Sequence, residues 1–129
     1  MDPTRTAPLA LAEQRLAWLE ARQRVLAQNI ANADTPGYVP RDVAPFERVL
    51  AGAAGPALNR TDPRHIALSG GRNASRPDRG AAERSVNGNA VALDQQALKV
   101  ADTDTAHAFA TGLHRRYLGL FRTALGRSQ

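Results

Sequence analysis

Apolar positions along the first third of the chain recur at alternating steps of three and four. Positions 9, 12, 16, 19, 23, 26, 30 and 33 hold Leu, Ala, Leu, Leu, Gln, Leu, Ile and Ala, the spacing of a helical seam that faces another helix. A helix of about 25 residues is expected, roughly 37 Å long at the α-helical rise. Thr6 is placed to cap it, with Pro8 in its first turn, where a missing N–H costs little. A second row, Leu11, Trp18 and Val25, repeats every seven residues on another side. A helix with one neighbour carries polar residues there. This row therefore has two readings: contact with another molecule, or burial beneath the chain's own middle segment.

A second helix is expected from Asp94, which is suited to cap it, to Gly126, which is suited to end it. Its apolar row is Ala106, Ala110, Leu113, Tyr117, Leu120 and Ala124, flanked by Phe109 and Phe121. Leu98 and Ala101 belong to a shifted stripe, which predicts a break in regularity near Thr103–Thr105. The stretch between the helices is different in kind. Residues 35–93 hold six of the eight prolines and seven of the ten glycines. Val39 to Val43 is extended by Pro40, and Ala44–Leu50 forms a short helix. Thr61–His65 reads as a capped turn, and Asn87-Gly88 as a tight turn between Ser85–Val86 and Ala90–Leu93. The tract Ser69–Gly80 is too poor in apolar area to offset its ordering entropy.

The fold class that follows is mainly α, with long N- and C-terminal helices forming an antiparallel coiled-coil-like hairpin around an irregular Pro/Gly-rich middle. Residues 1–34 with 94–129 make one discontinuous helical domain. Residues 35–93 make a loop region, with the short helix near 44–50 and a flexible tract at 69–84. The expected seam is Leu19, Leu26 and Ile30 against Leu113, Tyr117 and Leu120.

Composition supports this picture. Of the 129 residues 25 are Ala and only 5% are aromatic, which suits closely packed helices better than a sheet sandwich. The formal net charge is +5, carried by sixteen Arg and one Lys against twelve acids. Such a balance admits a small basic nucleic-acid-binding protein as an alternative. The arginines, however, are scattered singly and form no basic run longer than Arg115-Arg116. The lack of cysteine excludes disulfides and thiol chemistry. Glu13, Gln14 and Arg15 interrupt the leucines of the N-terminal region, so neither a signal peptide nor a membrane span is expected there.

Catalytic constellations are missing as well. His107 and His114 are seven apart, about two turns, too far for one metal. Asp104 and His107 pair only as surface groups do. Asp102 and Asp104 do not face each other on a helix. Ser69-Gly-Gly has neither the preceding strand nor the following Lys-Ser/Thr of a phosphate loop. An enzyme is not expected.

The most informative stretch is the end of the first helix. Pro36 disfavours helical geometry at Thr35, and Thr35-Pro36-Gly37-Tyr38 has Pro and Gly at the centre of a type II turn. Asn29 and Asn32, poor helix formers three apart, predict amide hydrogen bonds to another segment or subunit. The run Asn29, Ile30, Ala31, Asn32, Ala33, Asp34, Thr35, Pro36, Gly37 and Tyr38 resembles the N-terminal motif of the flagellar basal-body rod protein family. Arg41-Asp42, Phe46, Thr61, His65 and the segment Asn87–Asp94 fit the proximal rod type of that family. Asn87 and Gln96 depart from its usual residues.

The resemblance implies a structural subunit of the flagellar rod, with the ten-residue motif as a subunit interface. It implies helical assembly with other rod proteins, with copies of itself and with a rod-to-ring adaptor protein, transmitting torque and enclosing the export channel. Delivery to the periplasmic rod by the flagellar type III export apparatus, without a cleavable signal peptide, is part of the same expectation. It implies no cofactor, no nucleic acid and no small-molecule substrate.

Overall fold

The structure is a computed structural model that describes residues 7–54, 75–78 and 88–126. The elements are α1 (Ala7–Ala31), β1 (Arg41–Val43), α2 (Phe46–Ala54), β2 (Ser75–Pro77) and α3 (Leu93–Ala124). The two long helices run antiparallel, as their cross-links show: Glu13 lies by His114, Gln23 bonds Asp104, and Asn29 bonds Gln96. The mainly helical hairpin expected from the two periodic segments is the observed fold.

The α1 side of the seam is apolar as far as Leu26. Leu9, Ala12, Leu19 and Leu26 are buried, with Leu26 fully so. The α3 side is not. Its buried residues are Gln96, Thr103 and Ala110, one every seven residues. Ala110 is small, and Gln96 accepts from Asn29 of α1 across the seam. Thr103 meets its own requirement by donating its hydroxyl to the Lys99 carbonyl at 2.6 Å. Thr105 does the same to Ala101 at 2.9 Å, and α3 runs unbroken through the region where a break was expected. A Thr that bonds back to residue i−4 remains helical, so the shifted stripe marks a change of face and not a change of structure.

The ends of α3 are held differently from each other. Ala92 is the N-cap and no side chain caps it. Asp94 lies one position inside the helix and acts only through its charge, which complements the positive end of the helix dipole. At the other end Gly126 has φ +71° and donates its N–H to Thr123 at 3.1 Å, an αL stop that a residue with a Cβ resists.

The middle segment folds over α1. Its position is set by Trp18, whose indole N–H donates to the Ala44 carbonyl at 2.8 Å and whose ring packs against Phe46 at 5.9 Å. The Arg15 guanidinium lies 4.6 Å from the Trp18 ring and 4.8 Å from the Phe46 ring, a cation–π bridge between α1 and α2. Trp18, Leu19, Val43 and Ala110 form the core cluster, with Val25, Val49 and Ala106 packed against it. The second apolar row therefore divides. Trp18 and Val25 are covered by the chain's own β1–α2 segment, whereas Leu11 remains 46% exposed. Pro45 starts α2, its carbonyl accepting from Arg48 and Val49.

Within the tract expected to be flexible, Ser75–Pro77 pairs antiparallel with β1, Val43 opposite Ser75 and Arg41 opposite Pro77. Composition could not show this, because the ordering comes from polar contacts. Arg41 donates to the Ser75 hydroxyl and carbonyl, Asp78 N–H donates to Pro40, and Lys99 pairs with Asp78. The cap at Thr6, the turn at Thr61–His65 and the piece Ser85–Val86 lie outside the described residues. Among the described residues no helix is long and apolar enough to cross a membrane.

Candidate assembly site

Where α1 stops, a polar joint fastens three segments. Asn29 is fully buried and all four of its hydrogen-bonding positions are used. Its amide N–H groups donate to the Arg41 carbonyl at 2.7 Å and to Gln96 Oε1 at 2.9 Å. Its Oδ1 accepts the Arg41 backbone N–H at 2.9 Å and the Tyr38 hydroxyl at 3.3 Å. The side chain thus reads both backbone groups of one residue, as a neighbouring strand would, and ties β1 and α3 to α1.

Asn89 closes the same end from the other side. Its amide nitrogen lies 2.6 Å from the Ala33 carbonyl, 2.8 Å from that of Thr35 and 3.2 Å from that of Asn32. All three carbonyls belong to the turn that follows α1, where Asn32 also accepts the Thr35 N–H and Thr35 the Tyr38 N–H. Its Oδ1 accepts the Val91 N–H at 2.7 Å, and Ala90 N–H donates to Tyr38 at 3.1 Å. Gly37 has φ +71°, and Tyr38 N–H closes the turn onto Thr35 at 3.2 Å. A Cβ on Gly88 would stand 3.5 Å from the Gly37 Cα, so the two glycines mark a close backbone crossing.

Beside the joint lies a quartet of charges. Arg22 makes a bidentate pair with Asp42, both contacts at 3.1 Å. Lys99 lies 3.4 Å from Asp42 and also pairs with Asp78. Two cations and two anions from α1, α3, β1 and the end of β2 cancel in a half-buried setting.

The opposite end of the hairpin is apolar and open. A groove of about 490 Å³ runs between the first turns of α1, the start of α2 and the second half of α3. Leu11, Phe109, Leu113 and Tyr117 line it, with Arg15 and Glu47 at its polar edge. Phe109 is 74% exposed, Leu113 one turn on is exposed, and Leu120 is exposed two turns beyond Leu113.

Several residues singled out in the sequence occupy other surroundings than the expected ones. Of the expected seam, Leu19 and Leu26 are buried between the helices, while Ile30 is exposed. Leu113 and Tyr117 stand beside Pro8, Leu11 and Ala12, and not beside Leu26. The register explains the difference, since the residues of α3 opposite Leu19 are Thr103 and His107. In the motif, Asn29 faces inward, and Asn32 bonds its own helix at Gln28 and the Thr35 hydroxyl. Ile30, Ala31, Asp34, Thr35, Pro36 and Gly37 are exposed; Ala33 and Tyr38 are half-buried. Gln96 was missed as a seam residue. The signal for it was its place two heptads before Ala110, which hydrophobicity alone conceals. Among the described residues no three His, Cys, Asp or Glu side chains are grouped to hold a metal.

Similarity to known proteins points the same way as the motif. The family described as Flagella basal body rod protein matches residues 9–38. The flagellar basal body rod protein FlgB of Agrobacterium fabrum is 45% identical over 60 residues, covering 46% of this chain and 45% of that protein. The FlgB of Proteus mirabilis is 33% identical over 104 residues, 74% of this chain and 76% of that protein. That of Cereibacter sphaeroides is 32% identical over 121 residues, 91% and 92% of the two chains.

Proposed function

The chain belongs to the flagellar basal body rod protein family, and from that premise we propose that it serves as a proximal rod subunit. It is a structural protein of the flagellar basal body, not an enzyme, and it assembles with other rod components. In the proposed role, copies stack helically with other rod proteins, enclosing the export channel and passing torque along it. A rod-to-ring adaptor protein lies beneath, and the flagellar type III export apparatus delivers the chain to the periplasm. The exposed part of the motif, Ile30, Ala31 and Asp34 to Gly37, faces a neighbouring subunit, while Asn29 and Tyr38 hold the chain's own fold.

The observation that carries this reading is the apolar groove that the described residues leave open at one end of the hairpin. Leu11, Phe109 and Leu113 gather exposed apolar side chains at one concave site, and such a patch marks an interaction surface. Nothing in the family or the fold supports the nucleic-acid alternative. Several of the basic groups it would need are engaged internally: Arg15 on two rings, Arg22 and Lys99 on carboxylates, Arg41 on Ser75. Deleting the gene is expected to abolish rods in basal-body preparations, with rescue by the intact chain. Normal rods in the deletion strain would refute the role.

A further inference from the structure

The two ends of the hairpin complement each other in charge while sharing an apolar character. At the joint end Ile30, in the last turn of α1, and Leu93, in the first turn of α3, are 40% and 53% exposed. Asp34 follows Ile30 by four residues and Asp94 follows Leu93 directly, and both acids are exposed. Three cations of that end are already engaged: Arg41 on Ser75, and Arg22 and Lys99 on the carboxylates of Asp42 and Asp78. At the open end Leu11, Phe109 and Leu113 line the groove, and the sign of the charge reverses. The first half of α3 holds Asp94, Asp102 and Asp104 against Lys99, whereas the chain from Thr105 to Gly126 holds Arg115, Arg116 and Arg122 and no acid. Arg116 is exposed one turn beyond Leu113, and Arg15 stands at the groove's edge with Glu47.

We propose, on the premise that the chain is a rod subunit, that the groove receives the α1 end of a neighbouring rod subunit, the exposed part of the family motif. The neighbour's side chain at the position of Ile30 enters between Leu11, Phe109 and Leu113. Its acid at the position of Asp34 lies against Arg116. The family's match runs from residue 9 to residue 38 and so includes this end, which other rod components of the family therefore present as well.

Charge selects this pairing over the others. Groove against groove would set Arg116 on Arg116, and joint end against joint end would set Asp34 and Asp94 on their own kind. Groove against joint end pairs opposite signs. A contact between unlike surfaces does not close on itself and continues from subunit to subunit, as a rod requires. It forms where subunits meet in the assembly and needs no folded pair beforehand.

The test is made in assembled rods. The photo-crosslinking residue p-benzoylphenylalanine replaces Phe109, an aromatic for an aromatic, in the full chain expressed in the deletion strain. A second chain carries it in place of Glu47, at the groove's polar edge, and reports the neighbour even where the larger ring at 109 blocks the groove. After irradiation basal bodies are isolated and the cross-linked peptides are identified by mass spectrometry. The partner peptide is expected to be the segment of a rod subunit that matches residues 29–38. Arg116→Glu in the Phe109-substituted chain is expected to lower the yield of that peptide about threefold, the scale of an exposed ion pair, and Arg116→Lys to leave it unchanged. Cross-links to the C-terminal helix of a neighbour, to a protein outside the rod or to nothing would each overturn the proposal, as would a yield indifferent to Arg116→Glu. Normal rods with cross-links elsewhere would remove this contact and leave the role in the rod standing, whereas normal rods in the deletion strain would remove the role itself.

Discussion

The two ends of the hairpin are finished in opposite ways. At the end of α1 a polar joint of Asn29, Gln96, Asn89 and Tyr38 satisfies its members within the chain. At the other end Leu11, Phe109 and Leu113 surround a groove that the described residues leave unfilled. The contrast separates two tasks. Hydrogen bonds are directional and costly to leave unmade, so a buried polar network fixes one geometry among alternatives. Apolar area is non-directional, and leaving it open makes a surface that any complementary neighbour can cover. One end specifies the subunit, and the other leaves it incomplete.

Substitutions at the two ends test this division. The largest loss of stability is expected from Asn29→Ala, which strands both backbone groups of Arg41 and the Gln96 amide oxygen. Each stranded group costs about 1–3 kcal/mol, so a total of about 3 kcal/mol or more is expected, read from the urea midpoint. Asn89→Ala removes the cap on the carbonyls of Ala33 and Thr35 and is expected to cost about 1–2 kcal/mol by the same measurement. A midpoint unchanged by Asn29→Ala would break the comparison, because the joint would then not specify the fold.

Gly37 sharpens it further. A Cβ there meets nothing within 4 Å, so the cost of replacing it is conformational alone. Gly37→Ala is expected to lower stability by about 1 kcal/mol, and Gly37→Asn by less, since Asn tolerates left-handed geometry. Equal losses for the two would mean that something other than φ is at stake. The smallest effect on the isolated chain belongs to the open end. Phe109→Ser is expected to shift unfolding by no more than about 0.5 kcal/mol, yet to reduce rod assembly in basal-body preparations. A destabilisation comparable to that of Asn29→Ala would show that the open end contributes to the fold after all.

The parts legible in the sequence were those written in periodicity and in backbone chemistry. The three-and-four spacing from Leu9 to Ala33 marked α1, and Pro36 with Gly37 marked its stop and the positive φ that follows. Of the α3 seam Ala110 was legible but its first half was not, because Gln96 and Thr103 look like surface residues until a partner is seen to satisfy them. Register was hidden for the same reason. Two amphipathic helices pair at many offsets, and the offset is chosen by single bonds such as Gln23 to Asp104 and Asn29 to Gln96. The strand at Ser75–Pro77 was hidden because its order comes from a partner strand and ion pairs, which composition does not record. In the candidate site, the motif was evident, whereas its inward direction at Asn29 depends on Arg41 and Gln96.

The joint also sets an order of events in time. Asn29 and Gln96 lie 67 residues apart, and Asn89 reaches back 56 residues to Ala33. A chain that emerges N-terminus first therefore exposes α1 long before anything exists to fasten it. Until residue 96 appears, the Asn29 amide is hydrated, and Leu19 and Leu26 have no α3 to lie against. Closing so long a loop is slow compared with forming a helix. In that interval the helix presents its apolar seam to solvent, and the last third of the chain acts as a clock that ends the exposure.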